Sequence, residues 1–273
     1  MTRFIFSFFG AIFSLLTLGL VMGALTVGAV FWVYGQDLPD HETLVNYQPA
    51  TISRIYSTEG RIIDEFAEER RLYAPAEEIP DLVKQAFISA EDKNFYEHQG
   101  FDIRGIAAAA YEAVQSRGAS IRGASTIPQQ VAKNMFLGGE RTIDRKLKEI
   151  ILATRMVASL DREKILEIYL NEIFLGQNSY GVAAAAQTYF NKTLAELSPA
   201  EVGYLAALAQ RPGNLHPVRQ EEDAVARRNY VLREMTENGY LDQETYQAAR
   251  VDPLLTVQAG DYEPFRKQLP PRD

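Results

Sequence analysis

Between Phe4 and Gln36 the chain runs for 33 residues without a formal charge, dense in Phe, Leu, Val, Ala and Gly. About 20 such residues span the hydrocarbon core of a bilayer. A cleavable signal peptide has an apolar stretch of only about 7–15 residues followed by a small-residue cleavage site. The run is longer and has no convincing site of that kind, so it reads as a retained transmembrane anchor, residues 1–36. Arg3 and the amino terminus precede it, whereas Asp37, Asp40 and Glu42 follow. Positive charge before the span predicts a cytoplasmic N-terminus, with the rest of the chain outside the cytoplasmic membrane.

The remainder reads as globular. The 273 residues carry 28 basic and 36 acidic side chains, a net charge of −8, and no cysteine. Zero cysteines remove thiol nucleophiles, disulfides and Cys-ligated metal sites. Three histidines far apart in sequence, His41, His98 and His216, disfavour a His-rich metal cluster. The acidic balance argues against nucleic acid as a partner.

Residues 51–73 hold two apolar, β-branched runs around Ser57-Thr58-Glu59-Gly60 and predict a β-hairpin within a linker spanning 37–75. From Pro80 to about Arg250 the apolar spacing is helical, defining a domain over 76–250. Ser198-Pro199-Ala200-Glu201 is a capping box with proline at the first helical position, opening a helix through Ala209. The stretch 251–273 is proline-containing and aperiodic, like a linker.

Three places carry candidate chemistry. Glu91 and Asp92 end a helix entered through Pro80-Asp81, facing the negative pole of its dipole. Adjacent acids raise one another's pKa toward the range useful to a general base; a solvated helix end is the other reading. His98 and Asp102 nearby read as supports for the turn. In Ser125-Thr126-Ile127-Pro128-Gln129-Gln130, Thr126 and Gln129 form a capping box, so a helix N-terminus with free donors for an anion is expected. Between Arg117 and Glu149 seven bases stand against three acids, a local charge of +4. On a helix over about 142–160, Arg141, Arg145, Lys148 and Glu149 share one face by spacing. Such a strip is a solvated face, an attractor of anionic lipid, or a diphosphate site. Glu149 among the bases would orient them or hold a divalent cation, Mg2+ or Mn2+. The segments 164–171 and 181–186 read as core helices.

In order, EDKNFYEHQGFD (91–102), GASTIPQQ (123–130), RKLKE (145–149), KILEIYLN (164–171) and GVAAAAQTYFNK (181–192) resemble glycosyltransferase family 51. That family comprises the peptidoglycan glycosyltransferase module of class A penicillin-binding proteins and the monofunctional transglycosylases. The resemblance implies a mostly α, lysozyme-like two-lobed domain with an N-terminal transmembrane helix and a short β-hairpin linker. It implies polymerisation of lipid II into β-1,4 glycan strands by inverting transfer, with undecaprenyl diphosphate released. By position, Glu91 matches the general base and Asp92 its support. Ser125, Thr126, Gln129 and Gln130 match the donor-site motif, and Lys133, Arg141, Arg145 and Lys148 the cations on the leaving diphosphate. Glu149 matches the second essential acid. The partners implied are lipid II, the growing strand, inner-membrane lipid and other cell-wall synthesis proteins. Met135, Phe136 and Leu137 are candidates for bilayer contact.

Two departures stand out. Ala107 and Ala108 follow Gly105-Ile106 where the family commonly has an arginine, so that one phosphate contact is either absent or supplied by Arg104 or Arg117, and Pro128 replaces a frequent threonine. No Ser-x-x-Lys or Lys-Thr-Gly occurs, so the chain carries no transpeptidase signature. The linker-like close favours part of a bifunctional protein over a monofunctional one. A lytic glycan-cleaving enzyme, which would also use one glutamate but has no need of a basic strip, and a non-catalytic scaffold are the competing readings.

Overall fold

In a computed structural model the described residues are 2–36, 38–39, 53–56, 62–66, 70–115, 125–138 and 142–261. They are mostly helical. The anchor segment forms one helix, α1 (Thr2–Gly35), of 34 residues and about 51 Å by helical rise. Its stretch Gly10–Gly35 is long and apolar enough to cross a bilayer, and within it every residue but the terminal Gly35 is at least partly exposed. Thr17 and Thr26 turn their hydroxyls back to the carbonyls of Phe13 and Met22 at 2.8 and 2.9 Å, so the span exposes no unsatisfied hydroxyl there.

The expected hairpin is present as two antiparallel strands, β1 (Ser53–Tyr56) and β2 (Ile62–Phe66), in register Ser53 with Phe66 and shifted between Ile55 and Tyr56. Its expected turn, 57–60, lies outside the described residues. Beyond it the chain leaves the hairpin: β3 (Arg70–Arg71) pairs in parallel with β4 (Ser179–Tyr180) on the helical body. Arg71 forms an ion pair with Glu172 and lies 4.4 Å above the Tyr180 ring.

The body comprises α2 (Asp81–Glu91), α3 (Ile103–Gln115), α4 (Ile127–Ala132), α5 (Ile143–Ser159), α6 (Arg162–Glu172), α7 (Val182–Phe190), α8 (Pro199–Leu208), α9 (Glu221–Glu237) and α10 (Gln243–Val251). A π-type turn, Lys133–Leu137, continues α4. The centre is α8, buried from Ala200 through Leu208 and packed between α2 and α9. Its capping box is formed as expected, with the Ser198 hydroxyl accepting from the Glu201 amide.

On α6 the apolar residues Ile165, Leu166, Ile168, Tyr169 and Leu170 are core, as their spacing predicts. Its polar residues tie down the incoming chain. Asn171 both accepts from the Ala74 amide and donates to the Ala74 carbonyl at 2.8 Å, and Glu167 accepts from the Tyr73 hydroxyl and the Ala76 amide. At the other end the linker-like stretch is held to the domain as far as 261. Buried Arg228 donates to the carbonyls of Asp252 and Arg250, and Gln258 to that of Thr188.

Two surfaces matter for the bilayer. The carbonyl of Gly35, at the end of α1, accepts from Arg155 on α5 at 2.8 Å, and a Cβ at Gly35 would sit 2.5 Å from that nitrogen. Met135, Phe136 and Leu137 are only half-exposed, with Met135 and Phe136 packed against the core. The open apolar surface is instead on α3, where Ile103, Ile106, Tyr111 and Val114 recur at helical spacing and are all exposed.

Gly100, between α2 and α3, has φ +99, and a Cβ there would lie 2.7 Å from the backbone of Ala153 and Thr154. We expect Gly100→Ala to destabilise the fold by about 2 kcal/mol or more, read as a lowered urea midpoint.

Candidate active site

Helix α2 delivers Glu91 and Asp92 because Val83, Ala86, Phe87 and Ile88 bury one face of it. At the helix end the two carboxylates part. Asp92 is the C-cap residue, its N–H bonded to the Ile88 carbonyl, and its side chain turns inward to 6% exposure. One oxygen accepts from the Ile127 amide at 2.9 Å, and both lie within 3.0 Å of His98 Nε2. The Gly100 amide donates to His98 Nδ1 at 3.1 Å, so Nε2 carries the proton that goes to Asp92. Asp92 and His98 thus pin the end of α2 to the start of α4.

Glu91 faces the other way, half-exposed, with Oε2 accepting from Gln130 Nε2 at 2.8 Å. Its surroundings raise its pKa. Desolvation is the main cause, opposed by the Gln130 hydrogen bond and the charges of Arg227 and Lys133, with Asp92 a smaller contribution in the raising direction. The adjacency argument made from sequence therefore names a minor cause. The carboxylate is crowded on its inner side while keeping an open side, and crowding is what disfavours its charge.

The capping box of α4 is formed: Gln129 N–H donates to Thr126 Oγ1, and Thr126 N–H to Gln129 Oε1. The Thr126 hydroxyl donates in turn to the Gly100 carbonyl at 2.7 Å. The donors expected to be free for an anion are nevertheless spent. Ile127 serves Asp92, Gln129 serves Thr126, and Pro128 has no N–H. Anion binding, where it occurs, falls to side-chain cations.

Those cations are partly the expected ones. Lys146 is the hub, its Nζ donating to Ser125 Oγ at 2.9 Å, Gln129 Oε1 at 3.3 Å and Glu149 Oε2 at 2.9 Å. Arg145 lies 2.8 Å from Glu149 Oε1, an ion pair set off the line of a hydrogen bond. Lys148, expected by spacing beside Arg145 and Glu149, has a different ion-pair partner. Lys148 pairs with Asp144 at 3.1 Å, four residues back on α5. Lys146, missed from sequence, was signalled by its i,i+3 spacing from Glu149. Arg141, Arg117 and residues 121–124 lie outside the described residues.

Helix α4 stands between the two acids. Gln130 reaches Glu91 and its neighbour Gln129 reaches Lys146, so one turn spaces a carboxylate without an ion-pair partner from one opposed by two cations. Arg227, on α9, enters the field of Glu91 from about 130 residues away in sequence, with no local signal to announce it.

Among the described residues no group of three His, Asp or Glu could hold a divalent cation, and each oxygen of Glu149, 3% exposed, faces a cationic side chain.

The raised pKa means that the Glu91 carboxylate, once ionised, opposes folding. Stability contributed by the protonated form is complete below the ordinary glutamate pKa, about 4.3, and is lost as pH rises through the higher folded value. Glu91→Gln should therefore unfold at a higher temperature than the unmodified chain at pH 7.5, with the difference shrinking toward pH 4, in paired thermal melts.

A family model described as Transglycosylase matches residues 59–236. Penicillin-binding protein 1A of Rickettsia typhi is 41% identical over 250 residues, 91% of this chain and 32% of its own. That of Escherichia coli is 41% identical over 235 residues, 86% of this chain and 28% of its own. A crystal structure of penicillin-binding protein 1A from Haemophilus influenzae covers 77% of this chain and 22% of its own, with 26% identity and a TM-score of 0.43. The chain spans about a third of the length of the curated relatives it matches.

Proposed function

Since the chain belongs to the transglycosylase family and carries its peptidoglycan glycosyltransferase domain, we propose that Glu91 is the general base for transfer of a lipid-linked glycan onto lipid II. The ionised Glu91 takes the proton from the acceptor sugar's 4-hydroxyl, and that oxygen attacks the anomeric carbon of the donor. The bond from that carbon to the undecaprenyl diphosphate breaks, giving a β-1,4 linkage with inversion. The departing diphosphate takes the electron pair, and preorganised cations offset its charge.

The observation that carries this reading is the separation of roles across α4. On one side stands a carboxylate whose charge is disfavoured by desolvation, and on the other Arg145 and Lys146 held by Glu149. Proton abstraction needs the first and diphosphate departure the second. Ser125 and Gln129 orient Lys146, and Lys133 adds charge on the Glu91 side. No step is assigned to a metal. A glycan hydrolase would use the glutamate but not the cations.

The same reading places the chain in a bacterial inner membrane, with α1 crossing once, its N-terminus cytoplasmic and the helical domain outside. The exposed apolar stripe of α3 would then meet the lipid interface. The alignment with about a third of proteins named penicillin-binding protein 1A supports reading the chain as the glycosyltransferase portion of a bifunctional enzyme.

Polymerisation of labelled lipid II, resolved by gel, tests the assignment. We expect polymer from the unmodified chain and none from folded Glu91→Gln; equal polymer from both would refute Glu91 as base. The acidic limb of kcat/KM should lie above the ordinary glutamate range, because the base works only when ionised and its pKa is raised.

Lys146→Ala should slow polymerisation about a hundredfold, the scale for losing one donor to developing charge. Lys148→Ala, which removes the i,i+4 pair with Asp144, should stay within about threefold. A reversed order would return Lys148 to the diphosphate site.

A further inference from the structure

One buried polar group beside Glu91 has no part in the chemistry above. Tyr169 on α6 is 1% exposed, and its hydroxyl has no hydrogen-bond partner. The other deeply buried phenols differ: Tyr189 donates to the Leu175 carbonyl and Tyr204 to that of Leu215, both at 2.9 Å. A buried hydroxyl left alone is costly and uncommon. The Tyr169 ring meets Phe87 edge-on, with centroids 6.2 Å apart. Phe87 and Glu91 are four residues apart on α2 and share a face, so Tyr169 lies beneath the face that presents Glu91. Helix α4, whose Gln130 holds Glu91, packs on α6 as well. The carboxylates of Glu91 and Asp92 add to the effect of burial in keeping the phenol protonated far above neutral pH. It is a permanent donor.

We propose that Tyr169 is a positioning residue for glycan transfer, its hydroxyl donating through one bridging water to the Glu91–Asp92 carboxyl pair and thereby holding Glu91 in the ionised form that accepts the sugar proton. The inference rests on the reading of Glu91 as base. Gln130 engages only Oε2 of Glu91, leaving Oε1 as an acceptor, while Asp92 already serves His98 and Ile127. The charged groups facing Glu91 are Lys133 from the turn after α4, Arg227 from α9 and Asp92 from its own helix end. All of them persist when only the phenol oxygen is removed.

Tyr169→Phe keeps the ring and its contact with Phe87. The experiment is the pH dependence of labelled lipid II polymerisation by the full chain in detergent, for the unmodified chain, Tyr169→Phe and Glu91→Gln, with a thermal melt of each. Losing a donor to the carboxylate raises the base's pKa. The acidic limb of Tyr169→Phe should therefore move up by about one pH unit, a tenfold loss on the acidic side with recovery at high pH. Its melting temperature should stay close to that of the unmodified chain, because the ring and its contact with Phe87 are kept. An unmoved limb, or an equal loss at every pH with a lowered melting temperature, overturns the inference and leaves Tyr169 a core residue. A Glu91→Gln variant with full activity overturns the base assignment, and this inference with it. An inactive Glu91→Gln beside an unmoved limb overturns this inference alone.

Discussion

The carboxylate of Asp92 joins parts of the chain that would otherwise have no common reference. It closes the end of α2, receives the first amide of α4 from 35 residues away and holds the imidazole of His98. His98 in turn accepts from the Gly100 amide, and the Gly100 carbonyl accepts from Thr126. The ring of bonds returns to the cap of α4, fixing that helix against α2. A buried acid costs several kcal/mol unless its lone pairs are answered, and here both oxygens are engaged. The rest of the site inherits its geometry, because Glu91 and Gln130 each sit one residue or one turn from this junction.

The two acids of the site are then separated by environment. Glu91 is crowded and lightly compensated, which raises its pKa; Glu149 is buried but flanked by Arg145 and Lys146. A pair of carboxyl groups in contrasting surroundings divides acid–base work from electrostatic work. The arrangement needs α4 as a spacer more than as an anion-binding helix end, since its first donors are spent inside the protein.

The apolar helix α1 is tied to the helix that carries the cations. Arg155, two turns beyond Lys148 on α5, caps the last carbonyl of the anchor helix, so the helix bearing Arg145, Lys146 and Glu149 is tied to the end of the span. The incoming chain is further held by Asn171 and Glu167, polar residues on a helix whose other positions are core. Their contacts fix residues 73–76 against the helical body.

Much of this was legible in the sequence where the cause is local. The uncharged run from Phe4 dictated α1, the Ser198 and Thr126 capping boxes dictated helix starts, and the motifs dictated the family and the candidate acids. These follow from residue spacing within one or two turns, where backbone geometry fixes neighbours. Tertiary structure alone decided that Asp92 turns inward while Glu91 turns out, that Lys146 pairs with Glu149 while Lys148 pairs with Asp144, and that Arg227 enters the field of Glu91. Each depends on burial or on charges brought together from distant segments. Spacing carries no information about either, because desolvation and long-range fields exist only once the helices have packed.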